Sequence, residues 1–385
     1  MKIKRNVWLL YAISLLQGMV FYGPIATLYR QAAGISIFQI TIIESISLGL
    51  CIAMELPWGI VSDRIGYKKT LLLCNGFYFV SKIVFWKANG FVAFLLERIM
   101  LSVVIAGLSG CDVSMLYLSC NKGDTQMAFS VYSNLGMIGL LVASLTYSGL
   151  IKENYRLAGL LTVFSYGCAA IMAFGLKEVR NTPGARTQSI AEAKVLLLNF
   201  FNCKRLILFL VGVAFFNETH QTITVFLSQL QYAKSGISPV AMGYIYIFIT
   251  LIGLIGLASA RLTKKLGAKA IASLTYGCAT CACLVMAFTS NAGLSVLGIV
   301  VLRLAFSLFQ PLQIELQNQQ VMTQNRATAL SINAALIDGV GIFTNIVFGK
   351  VAQVNLSASM LFGAGFCAAG LLLFFVWHSK KTITC

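Results

Sequence analysis

Arg303, Ser307, Gln310, Gln313 and Gln317 recur every three or four residues through an otherwise apolar stretch, with Pro311 among them. At 3.6 residues per turn this spacing puts five polar side chains on one side of a helix, and the proline offers a bend. In lipid such a face must point at protein or water, so it either lines a cavity or hydrogen-bonds to neighbouring helices. The spacing fits both. Glu218, His220 and Asp338 fall in apolar runs of the same half. A carboxylate there can load and release a proton, because burial favours its neutral form and a nearby arginine its charged form. Asp338 is the first candidate for that role, Glu218 the second and Asp112 the third. Gln17, Tyr22 and Asn134 are the polar candidates of the N-terminal half, although single polar residues in apolar runs also serve as packing.

Catalysis has no comparable foothold. His220 and His378 are too few and too far apart for a triad or a metal site, and no Gly-x-x-x-x-Gly-Lys-Ser/Thr phosphate loop occurs. Cys278, Cys281 and Cys283 form the one cysteine cluster, without a histidine or acid beside it to complete a metal site. Neither metal nor cofactor is expected, and the cysteines spread through the apolar runs do not form a disulfide framework.

The elements that position these residues follow from composition. Of 385 residues 58% are hydrophobic and 11% charged, too little polar surface to cover a water-facing domain. A hydrocarbon core of about 30 Å takes roughly 20 apolar residues per helical span. Runs of that length are expected at 7–29, 38–61, 70–87, 91–117, 127–150, 156–176, 206–230, 240–260, 269–289, 293–317, 327–349 and 355–377. The runs are continuous rather than alternating, which excludes a membrane barrel. The first follows Lys2, Lys4 and Arg5 but is too long for a signal peptide, so it counts as a span.

The net charge of +17 reflects topology rather than a nucleic-acid partner. Most Lys and Arg residues cluster at the termini and in alternate loops. Arg30, Lys87, Lys152, Arg156, Lys234 and Lys350 mark the opposite side. The positive-inside rule then predicts a multi-pass protein in contact with lipid, with both termini cytoplasmic; a bacterial cytoplasmic membrane and a monomeric state are further expectations.

An internal repeat runs at an offset near 201. Gly34-Ile35-Ser36 returns as Gly236-Ile237-Ser238, and Ile65-Gly66-Tyr67-Lys68 as Leu266-Gly267-Ala268-Lys269. Phe129-Ser130 matches Leu330-Ser331, and Arg98 matches Arg303 at a slightly larger offset. Duplicated bundles are a common way of building transporters. The expected organisation is a six-helix bundle at 1–176, a polar linker at 177–205 and a second bundle at 206–385. Within the linker, Ser189 to Asn199 reads either as an amphipathic surface helix or as solvated chain.

After the second span the chain reads Gly59-Ile60-Val61-Ser62-Asp63-Arg64-Ile65-Gly66-Tyr67-Lys68-Lys69. The pattern Gly-x-x-x-Asp-Arg-x-Gly-x-Lys-Lys resembles the signature loop of the major facilitator superfamily. Twelve spans in two pseudo-symmetric six-helix bundles are similar to that family over essentially the whole chain. The resemblance implies an all-α membrane fold and a gating role for Gly59, Asp63, Arg64, Gly66, Lys68 and Lys69. It also implies that Asp63 docks on the start of span eleven, where Asn325, Arg326, Ala327 and Thr328 stand. A helix N-terminus and a cation both favour a carboxylate. Tyr67 replaces the family's usual arginine, which ties the loop to an acid on span four. The second copy of the loop has Ala260 and Lys264 where the first has glycine and aspartate. The proline-containing glycine run of many drug exporters is missing around Gly136, Gly139 and Gly149.

Charges inside spans cost on the order of 2.5–3.5 kcal/mol on insertion scales, so each needs a reason. Glu44 and Lys82, near outer ends, are expected to reach the interface. Glu55 suits a gate or structural pair, and Glu97 a partner on another helix. The resemblance suggests proton coupling or anion binding for Arg98. The expected function is secondary transport of a small molecule by alternating access, driven by protons, with efflux of amphipathic compounds as the first direction. Import of a metabolite and a non-transporting receptor with the same fold are the rivals.

Overall fold

The computed structural model describes residues 4–108, 111–120, 125–179, 203–320 and 326–379. The first span is built from α1 (Lys4–Gly18), a short 3-10 turn (Gly23–Ile25) and α2 (Ala26–Ala32). Then come α3 (Ile37–Ile65), α4 (Tyr67–Lys87), α5 (Gly90–Leu108), α6 (Cys111–Ser119), α7 (Thr125–Thr146) and α8 (Tyr155–Phe174). The second set is α9 (Lys204–Gln221), α10 (Ser228–Lys234), α11 (Pro239–Ile252), α12 (Ser259–Leu266), α13 (Ala268–Phe288), α14 (Ala292–Gln320), α15 (Arg326–Val354) and α16 (Leu356–Ser379). No strand occurs among the described residues.

Eleven helical stretches among the described residues are long and apolar enough to cross a membrane. The remaining sequence-predicted span, α4, has 21 residues, a length of about 31 Å. Lys68, Lys69, Lys82 and Lys87 lower its hydropathy. The winding changes at three places within the spans. A π stretch covers Tyr147–Ile151 after α7, another covers Thr222–Leu227 between α9 and α10, and a 3-10 stretch covers Gly253–Ala258 after α11.

The segment expected as a loop after the second span is almost entirely helix. Gly59, Asp63 and Arg64 lie inside α3, Lys68 and Lys69 lie in the first turn of α4, and Gly66 alone separates the two helices. Its φ of 90° and ψ of 156° belong to a region open only to glycine. Gly267 makes the same junction between α12 and α13, with φ 86° and ψ 154°. Gly34 and Gly236 are likewise paired at positive φ. The repeat seen in sequence thus recurs in backbone geometry.

The chain divides into two compact units: Met1–Ala185 with Ser238–Ile247, and Arg186–Ile237 with Phe248–Cys385. The start of α11 groups with the first unit, where Ser148 Oγ donates to the Val240 carbonyl at 3.0 Å. Of the predicted linker, Lys177–Val179 are described, and the 189–199 segment lies outside the described residues. Lys177 is clasped by fully buried Asn6, which accepts from its N–H and donates to its carbonyl, both at 2.8 Å.

In the first unit α1 and α7 touch backbone to backbone. A Cβ at Gly18 would overlap the Gly136 carbonyl, and one at Gly139 the Leu15 carbonyl. Small residues permit this approach where no hydrophobic force drives helices together. Gly139→Val is therefore expected to abolish a monodisperse peak in size-exclusion chromatography, while Gly149→Val, in open space, should leave it intact. In the second unit Tyr276 donates to the Gly212 carbonyl at 3.0 Å. Phe216, Phe309 and Phe374 pack around it, and Phe209 and Trp377 pack in turn against Phe374.

Candidate functional site

The second unit gathers polar groups from α9, α14 and α15. Glu218 sits near the end of α9, buried, with its carboxylate against Gly341 of α15. A Cβ at 341 would come within 2.7 Å of that carboxylate, so any larger residue there would have to displace it. Asn345, one turn further along α15, donates its Nδ2 to Glu218 Oε2 at 3.4 Å. Its Oδ1 accepts from Thr222 Oγ1 at 2.7 Å, which fixes the amide orientation. Asp338 lies half-buried on the same helix, one turn before Gly341.

His220, on the other side of α9, stacks flat on Phe306 of α14 at 3.8 Å. It is 3% exposed, and neither ring nitrogen has a hydrogen-bond partner among the described residues. Arg303, one turn before Phe306, acts on it electrostatically, and Gly253 leaves space for the guanidinium. Further along α14, Gln313 Oε1 and Gln317 Nε2 are also buried without a partner among the described residues, as is Asn333 Nδ2 on α15. An unsatisfied buried polar group costs about 1–3 kcal/mol, so each of these groups demands a hydrogen-bond partner. Of the predicted stripe, Ser307 and Gln313 are buried, and Gln310, whose position falls between theirs around the helix, is exposed.

The first unit holds a different arrangement. Glu44 of α3 and Arg98 of α5 pair at 2.5 Å. Glu97, pointing the other way, lies 3.7 Å from Lys82 of α4, and both are almost fully buried. Lys82 Nζ donates to Tyr22 OH at 3.1 Å and lies 5.1 to 5.8 Å from the ring centres of Tyr22, Tyr78 and Tyr166. The expectation that Glu44 and Lys82 reach the interface is overturned: both are buried in ion pairs. Glu97 does have its partner on another helix. Gln17 donates to Asn75 Oδ1 at 2.8 Å, joining α1 to α4, and Asn134 is exposed. Asp112 accepts from Tyr132 OH at 2.8 Å.

Of the gating segment, the side chains of Gly59 and Asp63, together with Asn325, lie outside the described residues, and the 326–331 side chains do too. Arg64 is exposed. Glu178, which sequence reasoning missed, accepts from the Lys68 N–H at 3.3 Å and lies over Gly66, placing a carboxylate at the N-terminus of α4.

A helical membrane protein whose two halves repeat the same glycine junctions and each bury polar groups has the architecture of a transporter, not of an enzyme. The Major Facilitator Superfamily model matches residues 7–345, and the chain belongs to that family. Among solved structures, the nucleoside transporter NupG superposes with a TM-score of 0.81 at 18% identity, covering 98% of this chain and 100% of its own. A D-xylose-proton symporter gives 0.75 at 16%, covering 100% and 99%. A bacterial homologue of the human lysosomal transporter Spinster gives 0.71 at 15%, covering 97% and 94%. No curated protein matches the sequence.

Proposed function

We propose that this protein is a proton-coupled secondary transporter of a small amphipathic molecule, resident in a bacterial cytoplasmic membrane with both termini cytoplasmic. The observation that carries the reading is the polar set of the second unit. It combines a buried carboxylate held by an amide, Glu218 on Asn345, with buried imidazole and amide groups that have no partner among the described residues. The carboxylate supplies a proton site and the orphaned groups supply hydrogen bonds to a solute. The flat His220–Phe306 face beside them supplies apolar contact. Alternating access then couples the two, because a proton and a solute that bind one state better shift the same equilibrium.

Efflux is the direction proposed first, since a mixed aromatic and amide lining suits amphipathic compounds. Proton-driven uptake of a polar metabolite is the second reading. It draws support from the many hydrogen-bonding groups and from neighbours described as a nucleoside transporter and a D-xylose-proton symporter.

A thermal-shift screen of purified protein against metabolites and drugs identifies the solute without assuming a direction. Saturation at about 100 times Kd adds roughly 2.7 kcal/mol of apparent stability. Flux of each hit in proteoliposomes under an imposed pH gradient then fixes the direction. Stabilising hits that produce no flux under either gradient would favour a receptor over a transporter.

A further inference from the structure

Between α13 and α14 runs an open groove of about 430 Å³, lined by Gly277, Cys278, Cys281 and Val285 from one helix and by Leu297 and Val301 from the other. Its walls are almost wholly apolar. The Ser273 hydroxyl at its end is committed to the Lys269 carbonyl at 2.8 Å. The groove therefore offers no hydrogen bond to a transported polar solute and belongs to a different ligand.

Two features identify that ligand. Lys269, Ser273, Gly277, Cys281 and Val285 follow one another at four-residue steps, a single row along α13. The row thus continues, one turn beyond the groove's last lining residue Ser273, to exposed Lys269, whose Nζ lies 5.5 Å from the ring centre of Phe375 on α16. Lys264, Lys265 and Arg261 are exposed at the same end. From Ser273 to Val285 the row spans about 18 Å, comparable with the ~15 Å depth of one leaflet. An apolar trough one leaflet deep with a cationic mouth is complementary to an acyl chain carrying a negative headgroup.

We propose that the α13–α14 groove is a binding site for an anionic phospholipid, with an acyl chain along the Gly277–Cys281–Val285 row and the phosphate at Lys269. This site is separate from the polar set described above, and its test does not depend on transport.

Native mass spectrometry of the full-length protein, offered equimolar phosphatidylglycerol and phosphatidylcholine, reads the preference directly. Wild type should retain phosphatidylglycerol preferentially. Lys269→Gln should weaken that preference about fivefold, the equivalent of roughly 1 kcal/mol for one lysine near an anionic surface. Gly277→Leu, which fills the trough, should lower retention of both lipids. Lys269 is exposed, so its variant keeps the test standing if Gly277→Leu fails to fold. Equal retention of the two lipids by wild type would overturn the proposal, as would a preference unchanged in Lys269→Gln. Oxidative cross-linking in membranes supplies the other arm. A dimer that forms through exposed Cys281 and is lost in Cys281→Ser would show that a second copy covers the groove instead.

Discussion

Lys82→Met is expected to destabilise the protein by about 3–5 kcal/mol, the loss seen when one partner of a buried ion pair is removed. Glu97 is 1% exposed, and its Oε2 already lacks a hydrogen-bond partner among the described residues. Without Lys82 the carboxylate is left in the bundle interior with its nearest cation gone. Glu97→Gln should cost less. The ammonium keeps Tyr22 OH and three tyrosine rings, and cation–π contacts are worth about 2 kcal/mol when desolvated. The double variant Lys82→Met with Glu97→Gln should recover most of the loss, since no charge remains to be buried. Thermal unfolding of the four proteins in one detergent measures the coupling. A double variant whose loss equals the sum of the two singles would show that the pair is not a unit.

The same residues show what was legible in the sequence. Span positions follow from apolar length, and eleven of the twelve meet the criterion in the structure. Winding changes within spans do not announce themselves, because a π or 3-10 turn needs no distinctive residue type. Hydropathy placed Lys82 near an outer end, where a long side chain can reach water. What holds it inside is a set of tyrosines from α4, α8 and the turn before Gly23, and only Tyr78, four residues earlier on the same helix, was open to a spacing argument. Glu44 and Arg98 lie 54 residues apart, and nothing local links them. Asn345 was accessible in principle: it stands two helical turns after Asp338, on the same face of α15. A reading weighted toward charged groups passed it over, although amides inside a membrane carry the same demand for partners.

Glu218→Gln is expected to reduce gradient-driven flux of the identified solute to the level of empty liposomes while sparing solute exchange. Glutamine keeps the length of the side chain, and its carbonyl still accepts from Asn345 Nδ2. The Thr222–Asn345–218 chain then survives, and stability should change little. The substitution removes only the ability to take up and release a proton. Exchange runs on solute binding alone and needs no proton cycle, so its survival separates loss of coupling from loss of the site. Asp338→Asn, one turn before Gly341 on the helix that Glu218 packs against, is the paired control. If Asp338 carries the proton instead, that variant loses driven flux and Glu218→Gln does not. Driven flux with wild-type pH dependence in both variants would remove the second unit from proton coupling. The charges of the first unit would then be next, beginning with Glu44, whose ion pair with Arg98 is less deeply buried than that of Lys82 with Glu97. A carboxylate can exchange protons with water only where water reaches it, and that difference in depth decides the order.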